Sequence, residues 1–574
     1  MLLKIRIIVL IVLLILLKDN LSGQYAGKLT TVTCPQEKID VHLSQESTFT
    51  GEILWFKIYC TSSLIPWEEF SSLAFIELVS SENNSILRKK VLLKHGEGLG
   101  DFEIPNNLPT GLYYIISYTN WMKNFGEGSF FRKEIAIVNP NQKYTYPVKN
   151  QDSLKILVQS QEPDTRADIL KIIPDKNKYL TREHVTIKIS KKGISGEKIS
   201  GDFSVSVCRK EPEMIFNTKQ NMEEGLIKIP ENIVYLPDYK GIRMSGKLVD
   251  ASGNAVPGAF ITISTPGPGT DLKSSITDNE GVYNFLLKPE EGEKEMVINL
   301  PGNETKSSLE ESFWNGFREP PDNLVFSLDQ DAISYLKEKF IHFQIEARLK
   351  KTISAKNTQL KTRGDSSVFY SKPYELIDFK NYINLDSLRE YIYELVPSVK
   401  FTGRKGGSEI MVFDPVSMSY LEDKPGIFID GVLYNNFAEI AKIPVREIGW
   451  MAVIPATYYY KDFILGGIID IHTKKSDFNS VKLLPDMNRF IYPMADASEW
   501  KFTSPDYSTA GSITRIPDFR YLLYWEPNVR VEKSQEAMVQ FYTGDVKGRF
   551  IVKVVGISEN GEILHAENEI LIDD

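Results

Sequence analysis

The amino-acid sequence predicts a mainly β, multidomain protein: several β-sandwiches, one small α/β domain and no transmembrane barrel. Three observations carry this. Short apolar runs separated by turn residues recur through much of the chain from Gln24 onward, the pattern of antiparallel sheets packed face to face. Tyr and Phe are abundant, at 27 and 30 residues, and both favour half-buried pleated surfaces. One stretch, Pro425 to Lys475, instead alternates strand-like runs with a short helical segment. Only about a hundred residues follow Lys475, whereas a barrel needs many tilted strands of roughly ten residues each.

A chain of 574 residues predicts about four domains at roughly 150 residues apiece. Hydrophobic residues at 42% and charged residues at 25% are globular values, so disorder is not expected. Lys4 and Arg6 precede an apolar run from Ile7 to Leu17, and the small residues Ser22 and Gly23 follow. That run is too short to span a bilayer and has the length of a signal-peptide core, so residues 1–23 are expected to be an export signal. Its removal takes the net charge from −9 to about −11. An acidic surface argues against nucleic acid as a partner. Cys34, Cys60 and Cys208 are an odd set, so at most one disulfide forms. Cys34 with Cys60 is the local candidate, and the alternative is that all three are small buried hydrophobes.

Residues 24–150 form the first expected sandwich, with strands at Ile53–Tyr59, Leu73–Val79, Ser85–Leu93, Gly111–Thr119 and Phe130–Val138. Gly96, Gly98 and Gly100 are read as a hairpin turn, since no helix start follows as a phosphate loop would require. The run LAFIELVS, the Pro-Thr-Gly turn before LYYIISYTNW, and FFRKEIAIVNP resemble a β-sandwich of bacterial α-macroglobulin-like proteins. Residues 151–240 are expected to hold a second sandwich, legible at NKYLTREHVTIKIS and GDFSVSVCRK, with Glu211 to Asn232 as a loop or partial helix. Residues 241–305 read strand, turn at Ser252-Gly253-Asn254, strand, and a hairpin at Asp278 to Gly281. They resemble the carboxypeptidase-regulatory-like domain, a small transthyretin-like sandwich, and that resemblance implies a spacer or adhesive role.

Residues 306–369 are expected to be a linker carrying one long helix, Asp331 to Lys351, whose Ile333, Leu336, Phe340, Phe343 and Ala347 share a face. His342 and Glu346 lie one turn apart beside that face. They are read as a salt-bridging pair, because two ligands alone make a thin metal site. Residues 370–478 form the α/β domain. A helix at Leu385–Val396 precedes a strand at Glu409–Phe413; then Ile427–Ile429, Asp430-Gly431 and Val432–Tyr434 make a hairpin whose turn suits positive φ. A short helix at Asn436–Lys442 and strands at Ile448–Ile454 and Gly467–Ile471 follow. The order "IDGV", "IP…I" and "GGIIDIHTKK" resembles the plug domain of TonB-dependent outer-membrane receptors, here without the pore. Residues 479–574 are expected to be a C-terminal sandwich with turns at Thr543-Gly544-Asp545 and Glu559-Asn560-Gly561. Taken together the units resemble the large orphan plug proteins of Bacteroidota-like bacteria.

No catalytic, cofactor-binding or metal residue is nominated. GxSxG, HExxH and a Walker loop are all absent from the sequence, and its six histidines are scattered. GRKGGSE at Gly403 to Glu409 lacks the GK[ST] ending of a phosphate cradle and is read as a turn. None of the cysteines lies in the Cys-Gly-Glu-Gln setting of an α-macroglobulin thioester. Candidate partner-contact residues are Tyr458, Tyr459 and Tyr460, placed in a loop between two strands, and Trp121 in a turn. The plainer alternative is that they pack beneath neighbouring units.

The resemblance implies a non-enzymatic exported protein of a Gram-negative envelope. It would sit in the periplasm or at the outer membrane, indirectly membrane-associated, and dock an envelope or outer-membrane protein. Two alternatives stand beside it: a macroglobulin-like protease inhibitor lacking the thioester, with Pro301 to Pro321 as a cleavable bait, and a component of a nutrient-uptake or secretion system.

Overall fold

The computed structural model describes residues 36–62, 71–142, 170–191, 200–212, 233–302, 304–317, 330–349, 354–356, 368, 370, 372–382, 385–402, 409–434, 436–460, 463–508, 516–532, 536–558 and 561–574. The export-signal expectation, Cys34, the Gly403–Ser408 turn and most of Glu211–Asn232 lie outside these. The protein is mainly β, built of open sheets, and among the described residues no helix is long and apolar enough to cross a membrane.

The first sandwich packs a three-stranded sheet on a five-stranded one. The smaller runs Lys38–Leu43, Ile53–Thr61, Glu97–Glu103; the larger runs Ser47–Phe49, Phe131–Val138, Gly111–Thr119, Leu73–Ser80, Ser85–Leu92. Of the three glycines, only Gly96 turns, at φ 78° beside His95 at φ 55°. Gly98 and Gly100 lie inside strand Glu97–Glu103. A Cβ on Gly100 would stand 2.6 Å from Cζ of the buried Phe56, so the close approach of that ring excludes any side chain there.

The second sandwich departs from the expected domain order. Its larger sheet runs Lys178–Tyr179, Ile563–Ile572, Gly548–Ser558, Gly201–Arg209, Leu522–Val531, and its smaller one runs Ala537–Tyr542, His184–Lys191, Leu170–Pro174. Strand Gly201–Arg209 therefore has both its neighbours in the C-terminal segment, pairing Val205 with Val554 on one side and with Glu526 on the other. The expected sandwiches at 151–240 and 479–574 are corrected to one sandwich made from both. The physical reason is plain: the backbone of Gly201–Arg209 finds hydrogen-bonding neighbours on both sides only in the C-terminal strands Leu522–Val531 and Gly548–Ser558.

The inserted sandwich repeats this device. Val282–Leu287, Ile242–Val249 and Lys306–Leu309 form one sheet, and Leu272–Ile276, Phe260–Ser264, Glu293–Asn299 and Met487–Pro493 form the other. Its last strand, Met487–Pro493, follows the α/β unit in sequence and pairs along Glu293–Asn299. The α/β unit is thus nested within the inserted sandwich, which is nested within the second sandwich.

The α/β unit has a mixed sheet in the order Glu375–Asp378, Ile448–Tyr460, Phe463–Thr473, Gly426–Ile429, Val432–Leu433. One face carries helices Leu388–Leu395 and Phe437–Ile440 over Ile377, Met451, Ile469 and Ile429. Ser387 and Asn436 cap these helices through their side chains. The other face meets the inserted sandwich through Leu272 and Tyr370. The long helix is Gln330–Leu349. It is no free linker: Ala332, Ile333, Tyr335 and Leu336 are buried, and Phe340 and Phe343 lie on Phe49 of the first sandwich. Lys339, also buried, reaches the Ser47 carbonyl at 3.3 Å and the Glu211 carboxylate at 3.6 Å.

The Asp430-Gly431 turn is a hairpin as expected, with φ 48° and 80°. Its Gly is also an inter-unit contact: a Cβ on Gly431 would stand 2.2 Å from the Gly269 carbonyl oxygen. Gly431→Val should therefore lower stability by about 2 kcal/mol or more, read as a fall in the denaturation midpoint; an unchanged midpoint would refute this docking of the turn. Ending the chain after Gln535 removes Ala537–Tyr542, Gly548–Ser558 and Ile563–Ile572. Native-state hydrogen exchange should then show His184–Lys191 and Gly201–Arg209 unprotected and Leu73–Ser80 still protected.

Candidate docking site

The strands Ile448–Tyr460 and Phe463–Thr473 are the longest pair in the α/β unit, rich in β-branched and aromatic residues. Their register shifts by one residue between Ile454 and Thr457, at Pro455-Ala456. A shift of this kind bends and twists a hairpin. Beyond it the pairs are Thr457 with Gly466, Tyr458 with Leu465, Tyr459 with Ile464 and Tyr460 with Phe463. The three tyrosines therefore lie in a strand, which corrects their expected place in a loop.

The bend sorts them. Tyr458 packs inward on the cluster of Leu272, Tyr370, Phe428, Leu433, Ile454, Leu465 and Ile468. Tyr459 is 78% exposed, and its cross-strand partner Ile464 is 46% exposed. The side chain of Tyr460 lies outside the description. At the sheet's open edge, Tyr374 and Leu376 are 62% and 66% exposed, two residues apart and so on one face. Glu375–Asp378 has a described strand on one side only. The sequence carried a signal for that edge, the alternation of Tyr374, Leu376 and Asp378 after Pro373, but nothing local tells which alternate face is left uncovered.

Trp121 is corrected from a contact residue to a core one, at 8% exposed. Its ring meets Phe125 edge-on at 5.8 Å. Asn124 in the same turn holds the passing segment 234–235, accepting from Val234 N and Tyr235 N at 2.9 Å each. The structure thus does not bring Trp121 together with the tyrosines as a surface.

The constellation that most resembles acid–base machinery lies beneath this hairpin, and sequence reading missed it. The Asp430 carboxylate accepts from Thr473 N and Thr473 Oγ1 at 2.7 Å and from Phe478 N at 2.9 Å. Asp470 accepts from the Tyr370 hydroxyl and from Thr270 Oγ1 at 3.2 Å. His472 places Nε2 3.2 Å from Asp470 and stacks on Trp450 at 4.1 Å. Burial, and then the Asp470 charge, push the Tyr370 hydroxyl well above its ordinary range. Asp430, Asp470 and His472 are all fully buried. The cluster ties the inserted sandwich, through Thr270, to the sheet that carries the hairpin.

The helical pair His342 and Glu346 does not form a ligand set. His342 stacks on Phe519 at 4.1 Å, and its Nδ1 lies 3.1 Å from the Tyr521 hydroxyl. Burial holds its imidazole below the usual value. Among the described residues no group of three or more His, Cys, Asp or Glu side chains converges as metal ligands would. Cys60 and Cys208 carry free thiols, both pushed up by burial.

The bait expectation also changes. Within Pro301–Pro321, Lys306–Leu309 is a strand, Phe313 packs on Phe75 at 5.3 Å, and Trp314 donates to Glu127 at 3.1 Å. Lys123 lies buried beneath, donating to the Ser312 carbonyl, its Nζ 4.6 Å from the centre of the Phe75 ring and its ammonium pulled down to about 8 by burial.

No family model and no curated protein matches the chain. Among solved structures it is similar to the α2-macroglobulin of Escherichia coli in its native conformation, with a TM-score of 0.24 and 8% identity over 94% of this chain and 40% of that one. It is also similar to the E. coli protein activated by porcine elastase, at 0.23 and 8% over 94% and 44%. The Salmonella α2-macroglobulin reacted with methylamine stands at 0.23 and 9% over 93% and 39%. The chain spans less than half the length of each, and likeness this distant assigns neither activity nor partner.

Proposed function

We propose that this chain is a non-enzymatic, exported cell-envelope protein that docks an outer-membrane or other envelope protein through its α/β unit. The observation that carries the reading is the exposed Tyr459–Ile464 pair on a hairpin whose base is fixed by buried contacts. Large apolar side chains held rigidly in water are what docking surfaces present, because little side-chain entropy is lost on binding. The exposed Tyr374 and Leu376 beside an open sheet edge add a place where a partner strand could pair. A regulatory-like sandwich and a plug-like unit, as the sequence motifs suggest, fit an envelope setting. A protease trap is less favoured, because the described part of its bait candidate is folded, Lys306–Leu309 into the inserted sandwich and Phe313 and Trp314 onto the first.

The test pairs capture with a matched variant. After mild crosslinking in a Gram-negative envelope, the wild-type chain should recover a defined outer-membrane protein. The double variant Tyr459→Ser, Ile464→Ser should recover at least about tenfold less at an unchanged denaturation midpoint. Recovery of no envelope protein, or equal recovery by the variant, would overturn the assignment.

A further inference from the structure

Strand Lys38–Leu43 of the first sandwich lies against strand Gly201–Arg209 of the second, and His42 locks them. Its ring is buried, with Nδ1 2.6 Å from Ser204 Oγ and Nε2 3.0 Å from Ser206 Oγ. Ser204 Oγ lies 3.2 Å from the Val555 carbonyl oxygen; with Ser204 donating there, Nδ1 carries the ring proton toward the Ser204 lone pairs and Nε2 accepts from Ser206, the tautomer being assigned from this network. The Tyr59 hydroxyl adds 2.8 Å and 2.9 Å contacts to Ser204 Oγ and Val555 O, and the Trp525 ring lies 5.1 Å from the imidazole. Every polar contact named here crosses between the sandwiches or braces one that does.

The charges around His42 leave no room for another. Lys57 stands directly across from it in register and holds Glu97 at 2.5 Å. Lys133 and Lys553 share Glu46 at 3.1 and 3.3 Å, Lys553 also holds Glu567 at 2.9 Å, and His565 holds Asp40 at 2.7 Å. Glu97, Glu46 and Glu567 are each already engaged by a lysine and Asp40 by His565, so a charged imidazole would sit buried among four basic groups with no carboxylate of its own to meet. We propose that this joint is an acid-operated switch, in which uptake of a second proton by His42 parts the first sandwich from the second while both stay folded. Contacts from the inserted chain, at Phe313, Trp314 and Lys339, would keep the first sandwich tethered.

Burial first, and then Lys553, Lys133 and His565, hold the imidazole well below its ordinary 6.5. A histidine lowered in the closed state binds fewer protons than in the open state. The joint is therefore fully stabilised above about pH 6.5 and weakens as the pH falls below it.

Hydroxyl-radical footprinting of the full chain between about pH 7.5 and pH 5 tests this directly. Labelling of Tyr59 and Trp525, both buried at the joint, should rise about tenfold in acid while the equally buried Tyr283 and Tyr391 stay protected and the far-UV circular dichroism is unchanged. In His42→Gln the acid step should vanish. Ser206→Ala, which removes the hydrogen bond to neutral Nε2, should move the step to higher pH and serves if His42→Gln does not fold. Protection of Tyr59 and Trp525 throughout the range, the same acid step in His42→Gln, or an unmoved step in Ser206→Ala would each overturn the proposal.

Discussion

The molecule depends on one strand, Gly201–Arg209, being held between Leu522–Val531 and Gly548–Ser558. Phe203, Val205 and Val207 are fully buried there, and without the C-terminal strands they would face water. Everything between Lys210 and Tyr521 is then a single loop of this sandwich. Closing so long a loop costs little more than closing a short one, since each doubling of length adds only about 0.6 kcal/mol. The burden falls on folding rate, because these pairings wait for distant parts of the chain.

The same logic operates one level down, where Met487–Pro493 closes the inserted sandwich after the α/β unit has been made. Nesting alone would leave a unit on two flexible stalks. Here the contact is rigid, because the Asp430-Gly431 turn presses its glycine on Gly269 and Gly267 N donates to the Asp430 carbonyl at 2.9 Å. Asn299 Nδ2 donates to the Leu433 carbonyl at 2.9 Å, and Thr270 reaches Asp470 across the boundary, beside the Tyr370 hydroxyl that also donates to it. A buried polar network is costly if any member loses its partner, so it favours one relative placement of the two units over all others. The long hairpin inherits that fixed placement, and this is what makes its exposed Tyr459 and Ile464 a surface and not a loose tip.

Local pattern was readable and distant pairing was not. Gly111–Thr119 runs between the same residues in sequence and structure, and the long helix expected at Asp331–Lys351 is described over Gln330–Leu349. The Asp-Gly hairpin was legible because two adjacent residues specify its turn. Strand Gly201–Arg209 was legible too, but its partners lie more than three hundred residues away, and alternation along one strand says nothing about which strand sits beside it. Aromatic residues misled for a related reason. Trp121 and Tyr458 have the composition of a contact surface, yet the segment 234–235 lies over the turn of one and the cluster holding Leu272 and Tyr370 lies against the other, and both covers come from elsewhere in the chain. Tyr374 and Leu376 were overlooked in the opposite direction, being residues of ordinary strand pattern that no described residue buries.

The two polar clusters show why residue type alone could not separate chemistry from architecture. Asp470, His472 and Tyr370 combine a carboxylate, an imidazole and a phenol within hydrogen-bonding reach, and His42 with Ser204 and Ser206 pairs an imidazole with two hydroxyls. In an open cleft either set would suggest proton transfer or a nucleophile. Both are instead sealed between folded units. In that setting the groups act on each other alone, and their energetic role is to make one packing of the units better than any other. Among the described residues no three or more His, Cys, Asp or Glu side chains converge as metal ligands would. The α/β unit also shows water large apolar side chains, Tyr459, Ile464, Tyr374 and Leu376, on or beside paired strands, and these are what support the proposed docking.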